Sequence, residues 1–90
     1  MVTMGGAQRM HVALNGLAMP PRGMGYQAWL IMPGGKPVPE PMVHMNAGGS
    51  GGVDIEAESM PPGTVVALTV EPSAGSQAPT SKPFMAATID

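Results

Sequence analysis

Tyr26-Gln27-Ala28-Trp29-Leu30-Ile31-Met32 decides the fold. Tyr26, Ala28, Leu30 and Met32 fall on one alternating face and Trp29 and Ile31 on the other, so both faces are apolar. Successive side chains of a strand point to opposite sides, and a strand apolar on both belongs in the middle of a sheet, covered twice. The same stretch carries the only Tyr and the only Trp of the chain. A second run, Thr69-Val70-Glu71-Pro72-Ser73-Ala74-Gly75-Ser76-Gln77-Ala78-Pro79-Thr80, is a β-branched strand end. It stops at Glu-Pro and enters a Pro/Gly/Ser loop too regularly punctuated to read as a linker.

Working outward, Val2-Thr3-Met4, Gly5-Gly6 and the residues from Gln8 read as strand, tight turn and strand. In the latter Met10, Val12 and Leu14 alternate with His11, Ala13 and Asn15, giving one buried and one wet face. Asn15-Gly16 ends it, and the prolines of Leu17 to Gly23 make that segment a connection. Pro33-Gly34-Gly35-Lys36 turns the chain after the two-faced strand. Val38 to Met45 is strand-like, but Pro37, Pro39 and Pro41 remove alternate donors, so its first half must lie at an edge or outside the sheet. The stretch 46–52 reads as a hairpin loop. Val53, Ile55 and Ala57 then alternate with Asp54, Glu56 and Glu58, and Met60-Pro61-Pro62-Gly63 turns again. Thr64 to Val70 sends Val66, Leu68 and Val70 inward, and Phe84 to Ile89 forms a last strand. No segment has the three-and-four apolar spacing of a helix. The expectation is an all-β fold, a small antiparallel β-sandwich of Ig-like or Greek-key type with six or seven short strands. Alternate side chains would share one interior, with the Trp29 indole at its centre.

Composition narrows the function. Ninety residues of 9.1 kDa make one domain, and a chain this short buries only about 60–65% of its unfolded surface, a thin margin. Thirteen Gly and eleven Pro are over a quarter of the chain, yet they fall between apolar runs and punctuate them. The ten Met imply a core filled by flexible thioethers. Four basic residues, Arg9, Arg22, Lys36 and Lys82, against a net charge of −2 disfavour nucleic acid and anionic membrane surfaces. Cysteine is absent, which excludes disulfides and thiolate chemistry. No apolar run reaches the roughly 20 residues of a membrane span.

In order and content these segments resemble the C-terminal domain of anti-sigma-K factors of the RskA type. Gly16-Leu17 and Pro20-Pro21 precede the Tyr-Gln-x-Trp-Leu-Ile strand, Tyr26 to Ile31, and the turn Pro33 to Lys36. The Thr-Val-Glu-Pro strand end and Gly-Ser-x-x-Pro-Thr loop follow, with Tyr26, Gln27, Trp29, Leu30, Glu71, Pro72, Gly75, Pro79 and Thr80 as the motif residues. The likeness covers most of residues 12–85, and residues 38–58 depart from it. It implies a single extracytoplasmic domain over residues 1–90 of a single-pass membrane protein, with Met1 an internal boundary of a longer reading frame. A cytoplasmic region and a transmembrane helix outside this stretch would complete it, the former binding an extracytoplasmic-function sigma factor. It also implies release by stepwise proteolysis, with an extracytoplasmic protease as partner and this domain, soluble by itself, as the sensory or gating portion.

Each candidate residue also has a plainer role. Trp29 suits stacking on a ligand or anchoring a core, and a two-sided apolar strand favours the core. Tyr26 is expected to bind backbone through its hydroxyl. Glu71 has no carboxylate or His neighbour in sequence, so it is expected to accept backbone N–H groups of the following loop, Ser73 to Gly75. Met42 and His44 share a strand face and offer thioether and imidazole to Cu(I). A small ligand- or copper-binding module on that Met/His face is therefore the alternative function. Neither nucleophile elbow nor phosphate loop accompanies the Ser, His and Asp residues. The expected domain is non-catalytic and free of cofactors.

Overall fold

The computed structural model describes residues 8–46, 48–57 and 60–89. They form seven strands and no helix: β1 (Gln8–Leu14), β2 (Met24–Ile31), β3 (Val38–Met42), β4 (His44–Met45), β5 (Gly51–Ala57), β6 (Val65–Pro72) and β7 (Met85–Thr88). A three-stranded sheet runs β1-β5-β4 and a four-stranded sheet β3-β2-β6-β7, every pairing antiparallel. The expected β-sandwich is what forms. The strand expected at Val2 to Met4, its Gly5-Gly6 turn and Glu58 lie outside the described residues.

The ladder between β2 and β6 organises the four-stranded sheet, running in unbroken register from Met24↔Pro72 to Ile31↔Val65. Directly opposed residues share a face. Tyr26, Ala28 and Leu30 therefore stand beside Val70, Leu68 and Val66 on the inner face, where Leu14, Val53 and Ile55 of the other sheet meet them. The same register sends Gln27, Trp29, Ala67, Thr69 and Glu71 to the outer face. The two-faced reading of β2 holds, but the place of the indole needs correction. Trp29 has no exposed surface, yet it points away from the inter-sheet core and is buried on the opposite side of its sheet.

Val38 to Met45 does not continue as one strand. Its first part pairs at the edge of the four-stranded sheet, where Trp29 opposes Pro39 and Gln27 opposes Met42, with an extra residue in β3 between these pairs. Missing proline donors cost nothing on an open edge. At Val43, whose N–H donates to the Tyr26 carbonyl at 2.8 Å, the chain changes sheets, and His44 and Met45 pair with Gly52 and Gly51. Such strand-switching corners are how a sandwich folds over. The glycine loop is shorter than expected, because Gly51 and Gly52 already belong to β5. β7 is narrower than the Phe84 to Ile89 reading, although the flanking N–H groups of Phe84 and Ile89 still donate to Leu68 and Thr64 carbonyls.

The two layers assign different weights to neighbouring strands. Leu30→Ala, in the inter-sheet core, is expected to cost about 2–5 kcal/mol, and Val38→Ala, on the exposed β3 edge, no more than about 0.5 kcal/mol. Urea unfolding followed by Trp29 fluorescence separates the two.

Candidate functional site

Three of the motif residues of β2 and β6, Gln27, Trp29 and Glu71, meet on the outer face of the four-stranded sheet, and the loop after β6 is drawn onto them. Pro72, lacking an N–H, ends the β6 ladder. The N–H of Ser73 donates to the Gly23 carbonyl at 2.9 Å, and that of Gly75 to the Pro72 carbonyl at 2.8 Å. Gly75 sits at φ +88°, a left-handed conformation that only glycine adopts without strain, and this lets the chain double back over the sheet. The Gln27 side chain then holds the returning backbone by both ends: Nε2 donates to the Ser76 carbonyl at 3.1 Å and Oε1 accepts the Ser76 N–H at 2.8 Å. Ser81 closes the far end, its hydroxyl donating to the Val70 carbonyl at 2.8 Å.

Between these ties lies a buried, ionised carboxylate. Glu71 is wholly inaccessible to solvent, as are Trp29 and Thr69. The Thr69 hydroxyl donates to Glu71 Oε2 at 2.5 Å, the Thr80 hydroxyl to Oε1 at 2.6 Å, and the Thr80 N–H to both oxygens at 3.0 and 3.2 Å. The Ser76 side chain also donates to it. Trp29 Nε1 donates to Thr69 Oγ1 at 2.7 Å, so indole, hydroxyl and carboxylate form one chain of bonds. Burial alone would raise the Glu71 pKa, but the Thr69, Thr80 and Ser76 bonds and the Thr80 N–H outweigh it and hold it at about 2, below its ordinary 4.5. A carboxylate so fixed gives up no proton near neutrality and has its lone pairs engaged. It is built to hold the loop.

Other expected residues fall around this network. The Tyr26 hydroxyl donates to the Ala18 carbonyl at 2.6 Å, the backbone role foreseen for it, and its ring lies 5.0 Å from that of Phe84. Leu30 is in the inter-sheet core, while Pro79 is half-buried beside Thr80. The donors expected for Glu71 within Ser73 to Gly75 need correction, since Ser73 and Gly75 turn to backbone carbonyls and Thr80 supplies the N–H. Thr69 and Ser76 are network members that sequence reading passed over. Thr69 was accessible to it, lying two residues before Glu71 and hence on the same strand face.

Met42 and His44 lie on strands of different sheets. A Cβ on Gly25 would stand 2.8 Å from Met42 Cε, which shows the thioether turned onto the outer face of the four-stranded sheet. His44 is exposed on the three-stranded sheet. Both border one open groove of about 580 Å³, with His11, Asn46 and Asp54. Among the described residues no group of three or more His, Asp or Glu side chains is arranged to hold a metal ion.

The model of the family described as anti-sigma-K factor RskA, C-terminal, matches residues 1–84, a span containing both motifs. The chain belongs to that family. No curated protein and no solved structure matches it. Membership ties this RskA C-terminal domain to anti-sigma factors and so to a regulatory protein. Among the described residues no helix is long and apolar enough to cross a membrane.

Because the folded pKa of Glu71 lies below the ordinary value, its contribution to stability is complete above about pH 4.5 and drains away as pH falls towards about 2. Glu71→Gln removes the charge and presents an amide where donors converge. It is expected to cost about 1–3 kcal/mol near neutral pH and to flatten the acid limb of the stability curve. Chemical unfolding of parent and variant between pH 2 and pH 7 checks both.

Proposed function

We propose that this chain is the extracytoplasmic, non-catalytic regulatory domain of a membrane-anchored anti-sigma factor, and that its folded state gates the proteolysis that frees the sigma factor. In the full-length protein a separate cytoplasmic region holds an extracytoplasmic-function sigma factor, and one transmembrane helix joins it to this domain. The observation that carries the reading is the convergence of Gln27, Trp29 and Glu71 on a network whose bonds hold a loop against the sheet. A domain whose buried bonds hold a loop shut suits a gate.

Mechanistically, proteolysis requires a segment to leave the fold, and elements with exposed side chains and few buried contacts open at the lowest cost. The loop 73–84 and β7 have that character, since every β7 side chain is exposed. Their attachment through Glu71, Gln27 and the β6 ladder then sets how often the protease finds an open domain. A small domain with a thin margin makes such a gate sensitive.

The experiment is a cleavage assay on the full-length protein in its membrane. Trp29→Ala removes the largest outer-face side chain and the N–H that engages Thr69. It is expected to cost about 3–5 kcal/mol, raise basal cleavage and increase sigma-dependent transcription. Thr69→Val, a milder variant, falls between. Measurable unfolding of the domain with cleavage unchanged would falsify the gate.

A further inference from the structure

On the outer face of the three-stranded sheet, the ladder brings both histidines of the chain to one groove. His11 opposes Asp54, Ala13 opposes Gly52, and Gly52 opposes His44 on its other side. Opposed residues share a face, so His11, Asp54 and His44 project from the same surface. His11 Nδ1 and Asp54 Oδ1 are 2.6 Å apart. This carboxylate–imidazole pairing fixes the ring and leaves Nε2 free, the support found behind metal-bound histidines. The ring leans across β5: a Cβ on Gly52 would lie 3.1 Å from His11 Cε1 and 3.4 Å from its Nε2. Gly52 lacks that atom, so the His11 ring occupies the space between β1 and β4 and no side chain of β5 separates it from His44.

We propose that this face binds a late first-row divalent transition metal through His11 Nε2 and the His44 imidazole, with Asp54 as the orienting partner of His11. Strands two apart in a sheet stand about 9.6 Å from each other, a span that two imidazoles close on a metal with bonds of about 2 Å when one ring already leans across. Two neutral nitrogens favour Cu(II) over Zn(II) and disfavour magnesium and calcium. With no third His, Asp or Glu side chain arranged to join them among the described residues, the site is a two-imidazole chelate whose other positions take water. It differs from the Met42–His44 pairing suggested by the sequence, because the sheet switch at Val43 turns Met42 onto another face. It is also independent of the proposed gate.

The test is titration of the 90-residue chain with Zn(II), followed through the imidazole ¹⁵N resonances, and competition with Cu(II). The two histidines are expected to shift together at one equivalent, with Cu(II) displacing Zn(II) and Mg(II) without effect. His11→Ala or His44→Ala, each an exposed position, is expected to weaken Zn(II) binding on the order of a hundredfold by breaking the chelate. Asp54→Asn is expected to weaken it about tenfold. Imidazoles that shift independently, a single-histidine variant with the parent's affinity, or no saturable binding overturns the assignment.

Discussion

The structure turns on a buried carboxylate that has no cation beside it among the described residues. Removing a charge from water is costly unless every lone pair finds a donor, and Glu71 meets that demand with hydroxyls and an amide. Thr69 is the hinge of this solution. A hydroxyl donates once and accepts twice, so Thr69 takes the Trp29 N–H and passes its own hydrogen to Glu71. Two groups that are expensive to bury are thereby satisfied by one small side chain. The remaining donors lie on Ser76 and Thr80, so the loop must return over the sheet for the carboxylate to be tolerated there. The path of the loop follows from the charge.

This arrangement gives the four-stranded sheet two unlike interiors. Between the sheets, Leu30, Ile55 and Leu68 pack without polar partners, and burial of apolar area holds them. Under the loop, an indole, the Gln27 amide, the Thr69 hydroxyl and a carboxylate are held by directed bonds that lose most of their worth once geometry fails. The apolar layer yields gradually to small displacements, whereas the bonded layer is close to all-or-none. Chain order places the second layer next to the exposed β7, so the part of the fold most dependent on exact geometry is also the part with least apolar cover.

Much of this was legible in the residues. The apolar character of both faces of β2 announced a central strand with two covers, and the proline spacing of β3 announced an edge. The alternation in β1, β5 and β6 placed Leu14, Ile55 and Leu68 inward. What stayed hidden depends on contacts between distant segments. A sequence says that Trp29 is buried but not which sheet face is the inner one. That was decided by the partner sheet, which met the face of Ala28 and Leu30, leaving the indole to the loop. Nor does strand periodicity reveal that Val43 turns a corner, and this undid the shared face inferred for Met42 and His44. Thr80 as the partner of Glu71 lies nine residues on, a separation fixed by the loop's conformation and by no local pattern.

These distinctions bear on where the domain's function can reside. Three of the motif residues are occupied within the network: Gln27 with Ser76, Trp29 with Thr69, and Glu71 with Thr80. Changing any of them first disturbs the bonds that close the loop. Recognition needs polar groups that solvent can reach, and the outer face of the three-stranded sheet carries several. There Arg9 pairs with Glu56 and His11 with Asp54 in plain view of solvent. Surface pairs of this kind add little to stability, which leaves that face freer to vary than the motif face. A regulatory domain divided in this way can keep one side for holding its fold shut and expose the other to whatever it must answer.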